Sequence, residues 1–339
     1  METFFNHMKK TLNRSQEKAC CAMVNRASTS LLSMALATTV ATSTAGLARA
    51  EDVPPVSRVN AIVNFEFANE YLTPRGMIVH DKGLTFQNLV LGLVNVYKGD
   101  DSFINDVTLV PGVWNDFSSS GVSVHAPFGS KPKTSWVEID PIAGIQVKFA
   151  KYFTISSTYT AFNMQILDIG TSHHLENKLA IDDSEWLKAF ALHPYVTYWQ
   201  ELQGKATAAQ VPYFVNPLGK AAMPIPEESH YFDLGIAPSY TYEPWNLKFE
   251  APMRVLLPDS EFYGEYYDPS SSLGLYEVGL KATIPLTFMP KGYGNWSVHA
   301  GFKFMGLEDD NLAKMQAFNA PGKETRDTVQ YFFGIGAFF

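Results

Sequence analysis

Four stretches of the chain gather side chains that could do chemistry. Val122-Ser123-Val124-His125 and Thr171-Ser172-His173-His174 each set a serine beside a histidine. In a serine esterase the imidazole takes the serine proton and a third group orients the ring. Both stretches read as loops, the first with serine and histidine in reversed order, and a triad is recognised by geometry that a sequence does not show. His173-His174-Leu175-Glu176 offers metal-ligating types, but neighbours on an extended chain point apart. Asp182-Asp183-Ser184-Glu185 and Glu308-Asp309-Asp310 could draw divalent cations. They lack the alternating spacing and glycine of an EF-hand loop, and read as solvated charge. No glycine-rich phosphate loop is present. The expectation is no catalytic residue, no metal site and no cofactor, so any function is non-covalent.

A different set of polar residues recurs along the chain. In residues 138–149, Glu138, Asp140, Gln146 and Lys148 alternate with Ile139, Pro141, Ala143, Ile145, Val147 and Phe149. Residues 245–255 set Lys248, Glu250 and Arg254 against Trp245, Leu247, Phe249, Met253 and Val255. Glu277 and Lys281 alternate with Tyr276, Val278 and Leu280, and His299 and Lys303 with Val298 and Phe302. On a strand, successive side chains take opposite faces, so each segment has one apolar and one polar side. If the polar sides share one interior, its lining is Glu66, Glu138, Asp140, Lys148, His193, Asp233, Lys248, Glu250, Arg254, Glu277, Lys281, His299 and Lys303, joined by Asn60, Asn64, Thr154 and Thr158.

The elements that would hold these residues are strands. Alternation places them at 58–71, 83–97, 106–117, 134–149, 152–166, 174–182, 187–201, 229–243, 245–256, 273–286, 295–306 and 326–339. Residues 183–190 could instead form a helical turn. Runs of this length cross a bilayer at a tilt, whereas sandwich strands run about 5–6 residues. Long Gly-, Pro-, Ser- and Asp-rich loops at 118–133, 202–228, 257–272 and 307–325 alternate with short links. Short turns on one side and long loops on the other are the pattern of an outer-membrane barrel. In the last loop Asp310 would cap a short helix at 311–318. The fold class is all-β: a transmembrane antiparallel up-and-down barrel of about twelve strands, with short periplasmic turns and long external loops.

Composition agrees. Of 339 residues 14% are aromatic and only 18% charged, yet mean hydropathy is −0.07. No apolar run spans a membrane as a helix, but a barrel needs only every second strand residue to be apolar. Aromatics near strand ends, Tyr71, Tyr152, Phe153, Tyr242, Trp245, Trp296 and Phe339, would form interfacial girdles. Phe249 and Phe302, at mid-strand, would face lipid.

Residues 1–50 read as a cleaved signal peptide: a basic lead, an apolar Thr-rich stretch, and Ala48-Arg49-Ala50 as the cleavage site. Residues 51–339 then form the barrel domain. Removing six Lys/Arg and two Asp/Glu turns 26 against 34 into 20 against 32, a formal charge of −12. Cys20 and Cys21 leave as well. The acidic balance and lack of basic clusters argue against nucleic acid. The chain ends in a strand whose odd positions include Tyr331, Phe333, Ile335 and Phe339, which resembles the assembly signal of outer-membrane proteins.

Residues 64–76 (NFEFANEYLTPRG), Gly112-Val113-Trp114-Asn115, Glu138-Ile139-Asp140, residues 194–200 (PYVTYWQ) and residues 231–243 follow one another in an order that resembles the TorF-type porin family of bacterial outer-membrane proteins. The resemblance spans the mature chain through short motifs, and Thr73-Pro74 before Arg75-Gly76 departs from it. It implies an outer-membrane barrel acting as a passive channel, without catalytic residues or a defined substrate. The expected partners are outer-membrane lipid and lipopolysaccharide, the barrel-assembly machinery and a small polar solute. Three function classes follow: a porin-like channel with a mixed-charge lumen, a non-conducting structural or adhesion barrel acting through its loops, and an outer-membrane esterase.

Overall fold

The computed structural model describes residues 58–99, 102–122, 133–166, 171–203, 229–263, 269–315 and 325–339. Ala48 and Ala50 of the cleavage site and the Ser123/His125 pair lie outside them. The chain runs through β1 (Val59–Ala68), β2 (Tyr71–Leu72), β3 (Ile78–His80), β4 (Thr85–Lys98), β5 (Ile104–Val122), β6 (Thr134–Phe149), β7 (Phe153–Met164) and β8 (Ser172–Ile181). It continues through β9 (Tyr195–Gln203), β10 (His230–Ile236), β11 (Ser239–Tyr242), β12 (Leu247–Glu250), β13 (Met253–Pro258), β14 (Leu275–Pro285), β15 (Asn295–Leu307) and β16 (Asp327–Phe338). Two short helices, α1 (Ser184–Leu187) and α2 (Asp310–Met315), sit between strands.

All strands except β2 and β3 form one antiparallel sheet, and it closes. β1 pairs with β16, β16 with β15, and β15 with β14, which meets β12 and β13. Each neighbour in sequence is a neighbour in the wall, so the topology is up-and-down. The sheet's 14 segments make twelve passes, because β10/β11 and β12/β13 are each one strand broken at a proline. Pro238 and Pro252 have no N–H to donate to the ladder. Pairing resumes around them: the Ala251 N–H reaches the Pro238 carbonyl at 2.9 Å, and the Gly279 N–H the Pro252 carbonyl at 2.8 Å. A closed ring leaves no sheet edge, so backbone groups in the wall are satisfied without water.

The outer face is apolar. On β6, Ile139, Pro141, Ala143, Ile145, Val147 and Phe149 point outward. Ten residues at a tilt give a band about 25 Å tall, the height of a barrel's lipid-facing belt. Phe302, Val278, Leu280, Tyr331, Phe333 and Phe339 are likewise exposed, and Ile335 shares their face. Towards the long-loop end, ring pairs Phe333–Phe67, Phe67–Phe86, Phe86–Phe117 and Phe117–Trp136 run across five passes at 5.0–6.2 Å. A register shift between Asp116 and Phe117 turns Trp136 outward into this row. Towards the other end, Phe103, Trp186, Tyr240, Trp245, Phe288 and Tyr293 are exposed. Two aromatic girdles therefore bracket the apolar belt.

The strand ends that flank the long connections, Ala68 and Thr85, Val122 and Thr134, Gln203 and His230, Pro258 and Leu275, and Leu307 and Asp327, share the end opposite Val59 and Phe338. Four expectations need correction. The seventh pass starts at Tyr195, not near 187, because α1 and a 3-10 turn at Lys188–Phe190 occupy the connection. The sixth pass starts at Ser172, so Ser172 and both histidines stand on a strand. Asp309, not Asp310, caps α2: its carboxylate accepts the Leu312 N–H at 2.9 Å. Tyr71 belongs to no girdle, since it is 3% exposed inside the ring.

Candidate functional site

The interior is built by the alternation that leaves the outside apolar. Glu66, Glu138, Asp140, Asp233, Glu250, Arg254, Glu277, His299 and Lys303 are all buried within the ring. Lys148, Lys248 and Lys281 are partly buried on the same face, with Lys148 opposite Thr154 and Lys281 opposite Glu250. His193 is not a wall residue. It lies in the turn before β9 with φ +48°, its Nδ1 3.6 Å from Asp183. The Asp183 carboxylate also accepts the backbone N–H groups of Leu192 and His193, so that acidic run closes a turn.

The interior charges meet in opposite-sign groups. Arg254 Nη1 donates to Asp233 at 2.7 Å and Nη2 to Glu277 at 2.9 Å, while Lys303 Nζ lies 3.7 Å from Glu277. His299 Nε2 is 3.0 Å from Glu66, and Lys248 donates to Glu250 at 2.9 Å. A lone buried charge is costly, and these pairings are what make a polar interior tolerable.

Alternation did not reveal what stands in the middle. After β1 the chain folds back inside the ring, and β2 and β3 form a hairpin there. Its tip, Thr73-Pro74-Arg75-Gly76, is a β-turn: Pro74 presets φ, and the Gly76 N–H bonds the Thr73 carbonyl at 3.0 Å. Gly76 has φ +88°, and a Cβ there would lie 2.9 Å from Leu275 and 3.0 Å from Leu307 and Leu312. Only glycine fits both demands.

Polar bonds pin the hairpin to opposite walls. Thr328 on β16 donates to Glu70 at 2.7 Å, Tyr71 donates to Glu138 on β6 at 2.6 Å, and His80 meets Asp116 on β5 at 3.0 Å. At the tip, Arg254 donates to the Pro74 carbonyl at 2.6 Å and Tyr263 to the Arg75 carbonyl at 2.8 Å. Apolar contacts finish the seal: Leu72 packs in a buried cluster with Phe262, Tyr263, Leu275, Leu307 and Leu312. Thus residues 69–84, the start of the 259–274 loop and α2 together fill the long-loop end of the lumen.

Beyond the hairpin tip a cavity of about 210 Å³ remains. Its lining divides in two. One side is charged, with Glu176, Lys178, Asp233, Arg254, Glu277 and Lys303. The other carries Leu89, Leu91, Val110, Trp114 and Ile142, with Asp140 as its one acid. Arg75 reaches in from the hairpin, its guanidinium 4.7 Å from the Phe162 ring and 5.2 Å from the Trp199 ring.

Ser172 and His174 do come together, with Oγ 2.6 Å from Nε2. The nearby acid does not complete a triad. Glu201 accepts from Ser172 at 3.3 Å, whereas His174 Nδ1, which a triad acid would hold, has no partner among the described residues. Ser172 itself is 0% exposed. His174 instead packs between Phe162 and Trp199, 4.4 Å from each.

The barrel is similar to several solved membrane-barrel structures. An outer-membrane channel from Pseudomonas putida F1 shares 9% identity, over 85% of this chain and 97% of that one, with a TM-score of 0.44. The NanC porin shares 8% over 82% and 98%, with a TM-score of 0.40. A FadL homologue from Pseudomonas aeruginosa shares 12% over 84% and 90%, with a TM-score of 0.36. No family model and no curated relative matches the chain.

Arg75, Trp114 and His174 were missed as interior residues. The Thr-Pro-Arg-Gly turn signature was the available signal for the hairpin. No comparable signal marked Trp114, because the stretches beside it, Leu89–Leu91 on β4 and Val110–Val113 on β5, are apolar on both faces.

Proposed function

We propose that this chain is a channel of the bacterial outer membrane, a member of the TorF-type porin family that passes small polar solutes. The observation that carries this reading is the cavity. The ring encloses a space lined by both polar and apolar side chains, and the wall does not fill it. A purely structural barrel of this size has no need of such a space. In this reading the hairpin is a constriction that solutes must pass or displace, and the paired charges along Asp233, Arg254, Glu277 and Lys303 set which ions are tolerated. Its surroundings are outer-membrane lipid and lipopolysaccharide, reached through the barrel-assembly machinery after removal of the signal. The function is non-enzymatic and uses no cofactor.

A second reading is a non-conducting barrel. The observation favouring it is the ion pairing of Asp233, Arg254, Glu277 and Lys303 and the anchoring of the hairpin to several wall strands. Planar-bilayer recording of the refolded mature protein separates the two. Unitary current steps are expected for a channel. Their absence across a range of voltages, with the hairpin both present and excised, would leave the second reading standing.

A further inference from the structure

Among the described residues, Arg75 is a cavity-facing cation whose guanidinium makes no salt bridge. Arg254 and Lys303 are held by Asp233 and Glu277. Arg75 is 6% exposed, and its guanidinium lies over the faces of Phe162 and Trp199 with no carboxylate in salt-bridge range among the described residues, though its charge is felt by Glu138, Asp140 and Glu176. A stacked guanidinium keeps its in-plane N–H groups free, and these are the donors that bind a carboxylate in two-point fashion. Two further buried polar atoms on the same cavity have no partner among the described residues: Trp114 Nε1, which can donate, and His174 Nδ1. The opposite wall of Leu89, Leu91, Val110 and Trp114 offers a surface for an apolar body. The cavity, at about 210 Å³, exceeds the apolar cavity of about 150 Å³ that accommodates benzene.

We infer that the lumen holds a binding site for a small organic monocarboxylate with an apolar or single-ring body, its carboxylate on Arg75 and its body against the Leu89/Leu91/Val110 wall. The site narrows the solute class of the channel reading and rests on it for its biological sense, though binding itself is independent of conduction. A monoanion matches the single guanidinium free of a salt bridge, and the acids lining the cavity, Asp140, Glu176, Asp233 and Glu277, disfavour a second negative charge. The hairpin that narrows the lumen would then also be its selector, because Arg75 is carried at the turn.

The test uses the refolded mature chain in non-ionic detergent, titrated calorimetrically against empty-micelle blanks. The probes are benzoate, benzyl alcohol, benzylamine and acetate. Benzoate should bind saturably and at least ten-fold more tightly than any of the others. Arg75→Gln should remove that advantage while leaving benzyl alcohol binding unchanged, with folding checked by heat-modifiable electrophoretic mobility. Arg75→Lys, which keeps the charge but not the fork, should give an intermediate loss. The wild-type order alone can overturn the inference. Equal binding of benzoate and benzyl alcohol, tighter binding of benzylamine, or no saturable binding would each do so whether or not the variants fold. Conductance without benzoate binding would defeat this site and spare the channel. Binding without conductance would do the reverse.

Discussion

The Tyr71 hydroxyl donates to Glu138 Oε2 across 2.6 Å, tying the inward hairpin to β6, the fourth pass of the wall. Both groups are buried, so neither has water as an alternative partner. Tyr71→Phe should therefore leave a buried carboxylate short of a donor, at a cost of about 1–3 kcal/mol. The check is the urea midpoint of the folded barrel in detergent. An unchanged midpoint would mean that Glu138 finds another donor.

Excising the hairpin tip should open the lumen. Replacing residues 72–77 by two glycines removes Arg75 and the Leu72 seal but leaves every wall strand intact. Single-channel conductance should rise several-fold, with heat-modifiable mobility retained. A folded variant of unaltered conductance would exclude the hairpin as the constriction.

The Arg254 group predicts a specific non-additivity. Arg254→Met leaves Asp233 and Glu277 buried with their central cation gone, and stability should fall by about 3–5 kcal/mol. The triple change Arg254→Met, Asp233→Asn, Glu277→Gln should recover much of that loss, because both acids that lost their cation are then neutral, while Lys303 keeps the nearby charges of Glu66 and Glu70. Unfolding midpoints of the wild type, the single and the triple variant decide it. A triple variant as unstable as the single one would contradict the pairing argument.

Neutralising acids should also shift ion preference. Asp233→Asn with Glu250→Gln removes two negative charges from the interior face and leaves Arg254 and Lys248 in excess. Reversal potentials in a salt gradient should move toward anion preference. Potentials that stay put would place both acids away from the conducting path.

Val278 and Glu277 are adjacent and face opposite ways, one exposed on the outer wall and one buried within. Val278→Arg should cost about 2–4 kcal/mol by setting a charge in the lipid belt. Folding yield into lipid vesicles is the measurement, and a yield equal to wild type would argue against a membrane-facing surface there.

Much of the wall was legible because its physics is local. Asp233, Arg254, Glu277 and Lys303 sit at alternate positions beside apolar neighbours, and that alternation alone assigns them inward. It also identified the twelve passes, apart from the starts of the sixth and seventh and the end of the first. The lumen's contents were not legible in the same way. Leu89 and Leu91 face inward while Val90 faces out, so that stretch has no polar side to read. Those leucines are apolar because part of their surface lies against Tyr71 and Val79 of the hairpin. Tyr71 was misplaced for the same reason. An aromatic at a strand end looks like a girdle residue until the chain beyond it is known to turn inward.

The bond from Thr328 to Glu70 spans 258 positions of sequence. Glu70 belongs to the connection just after the first strand, and Thr328 to the last. The hairpin therefore cannot complete its docking while the chain is partly assembled, however early it emerges. Contacts of such separation are the slowest to form, because chain entropy is lost before they contribute anything. Docking is thus a late event that registers closure of the ring. Protection of the 69–84 segment from protease should appear only when the last strand is in place, and a chain truncated before Asp327 should leave that segment cleavable.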